Sequence, residues 1–142
     1  MRVNYRPMNF NILISKLDAT YDWEACIMGL TGGPEPHWGA NIWRSGGHMH
    51  QWFPRQKTPS TEWEAEIDAL FAAGVRELDR QKRREIYFRW QEIVGEQQPF
   101  IYTVTPERLV AIRNRFGNLF PAPFGSLSGA AAHLDEVFVL DQ

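Results

Sequence analysis

The sequence predicts a mixed α/β protein, and three observations support that class. A strand, a helix and a second strand are predicted in succession before residue 32, which is the order of a βαβ unit with a right-handed crossover. A long aromatic loop and two amphipathic helices follow, and short strand candidates lie near the C-terminus. The length of 142 residues suits one domain over residues 1–142. A hydrophobic share of 44% beside 23% charged residues indicates a folded globular chain.

The predicted βαβ unit occupies the first 31 residues. It begins with a strand over residues 2–6, where apolar and polar side chains alternate, and Pro7 ends that strand. Asn9 occupies the N-cap of the helix that follows. Residues 22–31 are mostly apolar and are predicted as a buried strand. The helix between the strands is indicated by apolar residues at the spacing of one helical face: Phe10, Leu13, Ile14 and Leu17.

Two longer helices are predicted after the loop. The first begins at a capping box formed by Thr61 and Glu64 and continues to Gly74. The second runs over about residues 79–97 and is ended by Pro99. Their buried faces are predicted to consist of Trp63, Ile67, Leu70 and Phe71 in the first helix, and of Ile86, Trp90, Ile93 and Val94 in the second.

The C-terminal third contains the remaining strand candidates. Residues 100–104, 109–112 and 137–140 are apolar enough for short strands. Residues 116–132 are rich in Gly, Ala and Pro and are predicted to be irregular.

The loop over residues 32–59 is the first functional candidate, because connections of this length are usually functional or packed on something. It holds Trp38, Trp43 and Trp52 among glycines and prolines. These rings could line a cleft and stack on a sugar ring, an aromatic side chain or a peptide plane. They could equally pack beneath the loop as a small core, and the sequence leaves both interpretations open.

Histidines in the same loop are weak candidates for a metal site. His37, His48 and His50 lie near Glu35, and imidazole with carboxylate can bind zinc, nickel or copper. Their spacing is not the i, i+4 spacing that places two ligands on one helical face. The prediction is therefore no metal and no cofactor, with nickel-like binding through these histidines as an alternative.

Other function classes are disfavoured by composition. Cys26 is the one cysteine, and no neighbouring base would activate it, so we predict a protein that is not an enzyme. No apolar run approaches the roughly 20 residues needed to cross a bilayer. The net charge of -2 disfavours nucleic-acid binding. A basic cluster is interleaved with acidic residues, as on a solvated helix surface: Arg76, Arg80, Lys82, Arg83, Arg84 and Arg89.

Three segments carry a family resemblance. They read VNYRPMNFNILISKLDATYDWEACIMGLTGGPEPHWGANIWRSGG over residues 3–47, TPSTEWEAEIDALF over residues 58–71 and RREIYFRWQEIVGEQQPFIYTV over residues 83–104. In this order they resemble the C-terminal stretch of solute-binding protein family 5, the dipeptide, oligopeptide and nickel binders. The resemblance implies a partial lobe of the periplasmic-binding-protein type II fold, from a two-lobed receptor that closes on its ligand and docks on an ABC permease.

The resemblance also implies a location, a ligand and a site. The parent protein would be periplasmic or extracellular, although the first residues of this chain lack the pattern of a signal peptide. A peptide or an oligosaccharide would bind where the loop after the second strand faces the cleft. Gly32 stands where peptide receptors of the family often carry an Asp for the α-amine, which favours longer peptides or oligosaccharides. The implied ligand-facing residues are Thr31, Gly32, Gly33 and Glu35, and the aromatic loop adds Trp38 and Trp43.

Two further expectations concern assembly. Exposed sheet edges invite pairing, so a homo-oligomer is expected. The competing interpretation is a self-sufficient interaction module without catalytic activity.

Overall fold

The structure is a computed structural model that describes residues 2–30, 32–105, 111–119 and 134–140. These residues form four α-helices and one two-stranded sheet, so the fold is mixed α/β. The chain divides into two compact units, Met1–Pro99 and Phe100–Gln142. None of the helices in the described residues is long and apolar enough to cross a membrane.

The N-terminal segment, residues 2–30, contains a short helix with the predicted cap. Helix α1 spans Phe10–Ser15 and continues as a π-helical stretch over Lys16–Thr20. Asn9 caps α1 as predicted, because its side-chain oxygen accepts a hydrogen bond of 2.9 Å from Asn11 N. The predicted apolar face is only partly buried: Phe10 is 59% exposed, Leu13 and Ile14 are half-buried, and Leu17 is buried.

The two strands of the predicted βαβ unit are not present in residues 2–6 and 22–30, so this prediction was wrong. Both stretches are irregular and largely exposed, with Val3 70% and Ile27 72% exposed. A strand is stable only when its backbone pairs with neighbours and one face packs on a core. The described residues place no strand beside either stretch. Residue Thr31 lies outside them.

Helices α3 and α4 form the core of the first unit. Helix α3 spans Glu62–Gly74 and α4 spans Arg80–Gln97, in agreement with the prediction. Their facing side chains bury a cluster, and aromatic rings meet edge to face within it, such as Phe71 on Tyr87 with ring centroids 5.6 Å apart. Gln98, with a left-handed φ of 48°, caps the C-terminus of α4 directly before Pro99. The buried cluster consists of Ile67, Phe71, Tyr87, Ile93 and Val94.

The predicted core faces were correct with one omission. Trp63, Leu70 and Trp90 are partly buried and pack against the cluster. Tyr87 is buried, although the prediction had chosen Ile86 beside it, which is only half-buried. Adjacent residues on a helix point about 100° apart, so choosing Ile86 in place of Tyr87 moved this part of the predicted face away from the core.

Part of the long loop is helical and is attached to α3. A 3-10 turn over Pro36–Gly39 continues into α2, which spans Ala40–Trp43. Beyond α2, Ser45 donates two hydrogen bonds to Asp68 on α3, from its backbone N at 2.8 Å and from its hydroxyl at 2.5 Å. These bonds hold the loop against the helix pair.

The second unit contains a small antiparallel sheet. Strand β1 is Phe116–Gly117 and β2 is Phe138–Val139, with Phe116 opposite Val139. The sheet confirms the centre of the strand predicted at residues 137–140. Residues 100–104 are irregular, so the strand predicted there was wrong.

Two other predictions for the second unit fall partly outside the described residues. Residues 111–112 are irregular, and the first half of the strand predicted at residues 109–112 lies outside. The region predicted as irregular, residues 116–132, begins with β1, and its part from residue 120 onwards also lies outside.

Candidate functional site: an aromatic groove and its buried support

A buried carboxylate lies at the start of α3. The Thr-x-x-Glu pattern forms the predicted capping box, in which the Thr61 hydroxyl accepts a hydrogen bond from Glu64 N. In return, Glu64 Oε2 accepts hydrogen bonds from Ser60 N at 3.0 Å, Thr61 N at 2.9 Å and the Thr61 hydroxyl at 3.0 Å. Glu64 is only 2% exposed, so its carboxylate is almost entirely surrounded by protein.

The other oxygen of this carboxylate binds three side chains from the long loop. Glu64 Oε1 accepts hydrogen bonds from His50 Nε2 at 3.0 Å, Trp52 Nε1 at 2.9 Å and Gln56 Nε2 at 2.8 Å. Because these donors are spread over seven loop positions, one carboxylate fixes the path of this stretch of the loop. We call Glu64 and these three residues the Glu64 network.

The Glu64 network keeps its carboxylate ionised. Burial alone raises the pKa of Glu64, but hydrogen bonds from His50, Gln56, Trp52 and Thr61 outweigh burial and lower that pKa to about 2. A buried carboxylate with several charge-assisted hydrogen bonds is stable, whereas the same carboxylate without them would be costly.

Trp52 connects the Glu64 network to the surface. Its ring packs against the buried His50 ring, with ring centroids 3.8 Å apart and the two planes inclined at 50°. The ring centroids of Trp43 and Trp63 lie about 6 Å from that of Trp52. With its indole N–H bound to Glu64, Trp52 is held in one orientation.

A groove of about 460 Å³ opens beside Trp52 within the first unit. This volume lies within the usual range of ligand sites. One wall comes from the loop and the other from the N-terminal segment. The aromatic groove is lined by Tyr21, Trp23, Gln51, Trp52, Phe53 and Pro54.

The wall from the N-terminal segment depends on an unusual backbone conformation. Tyr21 ends the π-helical stretch with a left-handed φ of 55°. Trp23 N then donates a hydrogen bond of 3.0 Å to Tyr21 O, which closes a tight turn. Both rings reach the groove, whereas Asp22 between them lines a separate hollow and forms an ion pair with Lys16.

The chemistry of the groove is apolar and uncharged. Four of its six lining residues are aromatic, and none of the six carries a charged side chain. Gln51 supplies an amide group, whose nitrogen lies 3.6 Å from Met28 Sδ, a weak acceptor. Such a surface can stack on a flat ligand and offer it a few hydrogen bonds, but it holds no paired nucleophile and base.

The predicted glycine positions lie apart from this groove. Thr31 is outside the described residues. Gly32 has open space around the position of a Cβ, whereas Gly33 lies directly beneath the Trp38 ring, with no room for a side chain. Trp38 itself is 71% exposed. Gly33 and Trp38 therefore lie together at an exposed position, and neither they nor Gly32 line the aromatic groove.

Glu35 and Trp43 have structural contacts. Glu35 caps the 3-10 turn by accepting a hydrogen bond of 3.1 Å from His37 N and forms an ion pair with Arg83 on α4. The hydrogen bond from Arg83 lowers the pKa of Glu35. Trp43 packs on Trp90 with ring centroids 5.2 Å apart, so this ring belongs to the core beneath the loop.

The three loop histidines are held separately. His37 Nδ1 lies 3.5 Å from the Tyr87 hydroxyl, and His48 Nδ1 accepts a hydrogen bond of 3.0 Å from Arg55 Nε. His50 is buried in the Glu64 network. Among the residues that the structure describes, no group of three or more His, Cys, Asp or Glu side chains could hold a metal ion.

Five lining residues were missed at the level of sequence. Trp52 was a candidate, but the residues beside it were not considered: Gln51, Phe53 and Pro54, with Tyr21 and Trp23 from the distant segment. The available signal was the Tyr-x-Trp pair, two large aromatic rings separated by one residue. Trp23 was instead assigned to the buried strand predicted over residues 22–31, and Tyr21 was left outside that strand.

The chain was compared with protein-family models, with curated proteins and with solved structures, and none of the three comparisons found a match.

Proposed function

We propose that this chain is the C-terminal part of the substrate-binding component of an ABC transporter and takes peptides or related oligomeric solutes. In this proposal it belongs to a partial lobe of the periplasmic-binding-protein type II fold, it catalyses nothing, and its parent protein is periplasmic or extracellular. The support from sequence is the resemblance of residues 3–47, 58–71 and 83–104 to solute-binding protein family 5.

The observation that carries the proposal is the aromatic groove with one rigid wall. A receptor must offer its ligand a surface that does not collapse when the site is empty, because ordering that surface on binding would cost affinity. Trp52 meets this requirement, since Glu64 fixes its indole N–H and the buried His50 ring packs against its ring. The aromatic lining supplies stacking area, and Gln51 supplies a polar contact.

Ligand-observed saturation-transfer NMR on the full 142-residue chain is the direct test, because it detects weak binding. The probes are a set of peptides of two to eight residues and a set of neutral oligosaccharides. We expect transfer to members of one set. Trp23→Ala should weaken that binding about two- to tenfold, because one aromatic contact contributes about 0.5–1.5 kcal/mol.

The matched control is Trp38→Ala, which removes an exposed indole outside the groove. Binding should be unchanged in this variant. Absence of transfer to both probe sets, or equal losses in the two variants, would contradict the proposal.

Self-association is part of the same proposal. The N-terminal segment exposes large apolar side chains, such as Tyr5 at 74% and Ile27 at 72%. Burying this apolar surface against a second copy of the chain would be favourable. Light scattering coupled to size-exclusion chromatography should therefore give a mass above 16.5 kDa. A stable monomer would favour the competing interpretation, a self-sufficient interaction module.

A further inference from the structure

We propose that the aromatic groove takes an uncharged oligosaccharide, with sugar rings stacked on its aromatic walls, in preference to a peptide. This inference rests on the proposed function and narrows its ligand class. Three features of the groove support it: its lack of charge, the exposure of its walls and its small number of polar groups.

The first feature is charge. A free peptide carries an ammonium and a carboxylate, and each loses hydration when it enters a site. None of the six lining side chains offers a counter-charge. Asp22 is the acidic residue between two lining residues, and it faces the separate hollow in its ion pair with Lys16. Arg55, which follows Pro54, lies 3.9 Å from Asp18, so these two charges offset one another. Glu24, which follows Trp23, is exposed and does not line the groove. A neutral ligand loses nothing by the absence of a partner charge.

The second feature is the exposure of the walls. Trp52 is committed through its indole N–H to Glu64, so it offers the groove mainly the carbon surface of its ring. Tyr21 and Phe53 are 51% and 55% exposed, which leaves the outer part of the groove in water. The matching ligand has a flat apolar face and a polar rim that stays hydrated. A pyranose ring has this form, because its C–H groups share a face and its hydroxyl groups project around the edge.

The third feature is the set of polar groups. A peptide main chain presents an N–H and a C=O at every residue, and each needs a partner when it is buried. Among the described lining residues, the polar side-chain groups are the Gln51 amide, the Tyr21 hydroxyl and the indole N–H groups, of which that of Trp52 is bound to Glu64. The Gln51 amide can exchange its 3.6 Å sulfur contact for a ligand hydroxyl at little cost, because sulfur is a weak acceptor. One amide can both donate to and accept from hydroxyl groups, which suits a sugar with few buried contacts.

The test compares four probes on the full chain by isothermal titration calorimetry and saturation-transfer NMR. The probes are cellohexaose, maltohexaose, a hexapeptide with free termini and the same hexapeptide with an acetylated N-terminus and an amidated C-terminus. We expect at least one of the two sugars to bind more tightly than both peptides. Trp23→Ala and Gln51→Ala should each weaken sugar binding at least about threefold.

Trp38→Ala serves again as the matched control and should leave sugar binding unchanged. Circular dichroism of each variant checks that its fold is intact, and Phe53→Ala replaces any variant that fails this check. Tighter binding of either peptide through the groove would overturn this inference and leave the proposed function standing. If neither sugars nor peptides bind in a way that depends on Trp23 or Phe53, both proposals fall.

Discussion

Helices α3 and α4 and the N-terminal segment use similar side chains with opposite results. In the helix pair, Ile67 and Phe71 are fully buried, at 0% exposure. On the apolar face of α1, Phe10 is 59% exposed, and Leu13 and Ile14 are only half-buried. Both regions carry apolar residues at helical spacing. In the described part of the chain, α3 packs against a second amphipathic helix, α4, whereas α1 has no such partner. Spacing creates an apolar face, and burial requires another apolar face to pack against it.

Carboxylates in the two regions also differ in burial and in the number of their hydrogen bonds. Glu64 receives six hydrogen bonds in a buried site at the start of α3. Asp22 in the N-terminal segment has an ion pair with Lys16 and is 79% exposed. A buried network loses more when one member is changed, because the remaining groups cannot turn to water. The aromatic groove lies where the N-terminal segment meets the loop, and Glu64 of α3 holds the loop wall through Trp52.

The largest expected effect distinguishes the two apolar faces. Phe71→Ala should lower the free energy of unfolding by about 3–5 kcal/mol, because it leaves a cavity in the core. Phe10→Ala removes the same side chain from an exposed position and should cost less than about 1 kcal/mol. Urea unfolding followed by circular dichroism measures both. Equal losses would mean that the face of α1 is buried in solution.

The next effect tests the Glu64 network. Glu64→Gln should lower the free energy of unfolding by about 2–3 kcal/mol, because an amide nitrogen replaces one acceptor and meets hydrogen-bond donors. The control is Glu66→Gln on the same helix, where an exposed ion pair with Arg89 is lost and the effect should be much smaller. Denaturant titration of the two variants compares them. Similar losses in both would argue against the network.

The same network predicts a dependence of stability on pH. The pKa of Glu64 is lowered from 4.5 to about 2 in the folded chain. Its carboxylate therefore stabilises the fold fully above about pH 4.5, and this contribution is lost as the pH falls towards 2. Thermal melts between these pH values should show a decline of about 2 kcal/mol in the wild type. A decline of the same size in Glu64→Gln would assign it to other groups.

The smallest effects compare two glycines of the helix pair. A Cβ at Gly74 would lie 2.7 Å from Tyr87 Cζ, so Gly74→Ala should destabilise the chain by at least about 1 kcal/mol. Gly95 lies within α4 and has nothing within 4 Å of that position. Gly95→Ala should stabilise the chain by about 0.5–1 kcal/mol, because alanine favours a helix more than glycine does. Gly74→Ala should therefore lower the melting temperature and Gly95→Ala should raise it. A change in the same direction in both variants would contradict the close contact of Gly74 with Tyr87.

Local signals predicted the helical part well. The capping box at Thr61 and Glu64 marked the start of α3, and Pro99 marked the region where α4 ends. These signals act over three or four residues, so they do not depend on the rest of the fold. The strand predictions failed at residues 2–6, 22–30 and 100–104, because a strand depends on pairing and packing with segments that are often distant in sequence. The order of apolar residues could not show whether such neighbours pack there.

The sequence by itself determined the two long helices, their caps and most of their facing residues, since helical hydrogen bonds and side-chain periodicity are local properties. Only the tertiary structure decided that Glu64 binds His50, Trp52 and Gln56 in addition to capping its helix, and that Trp52 meets Tyr21 and Trp23 at a groove. These contacts join positions 8 to 31 residues apart. They depend on the course of the loop, which no local pattern specifies.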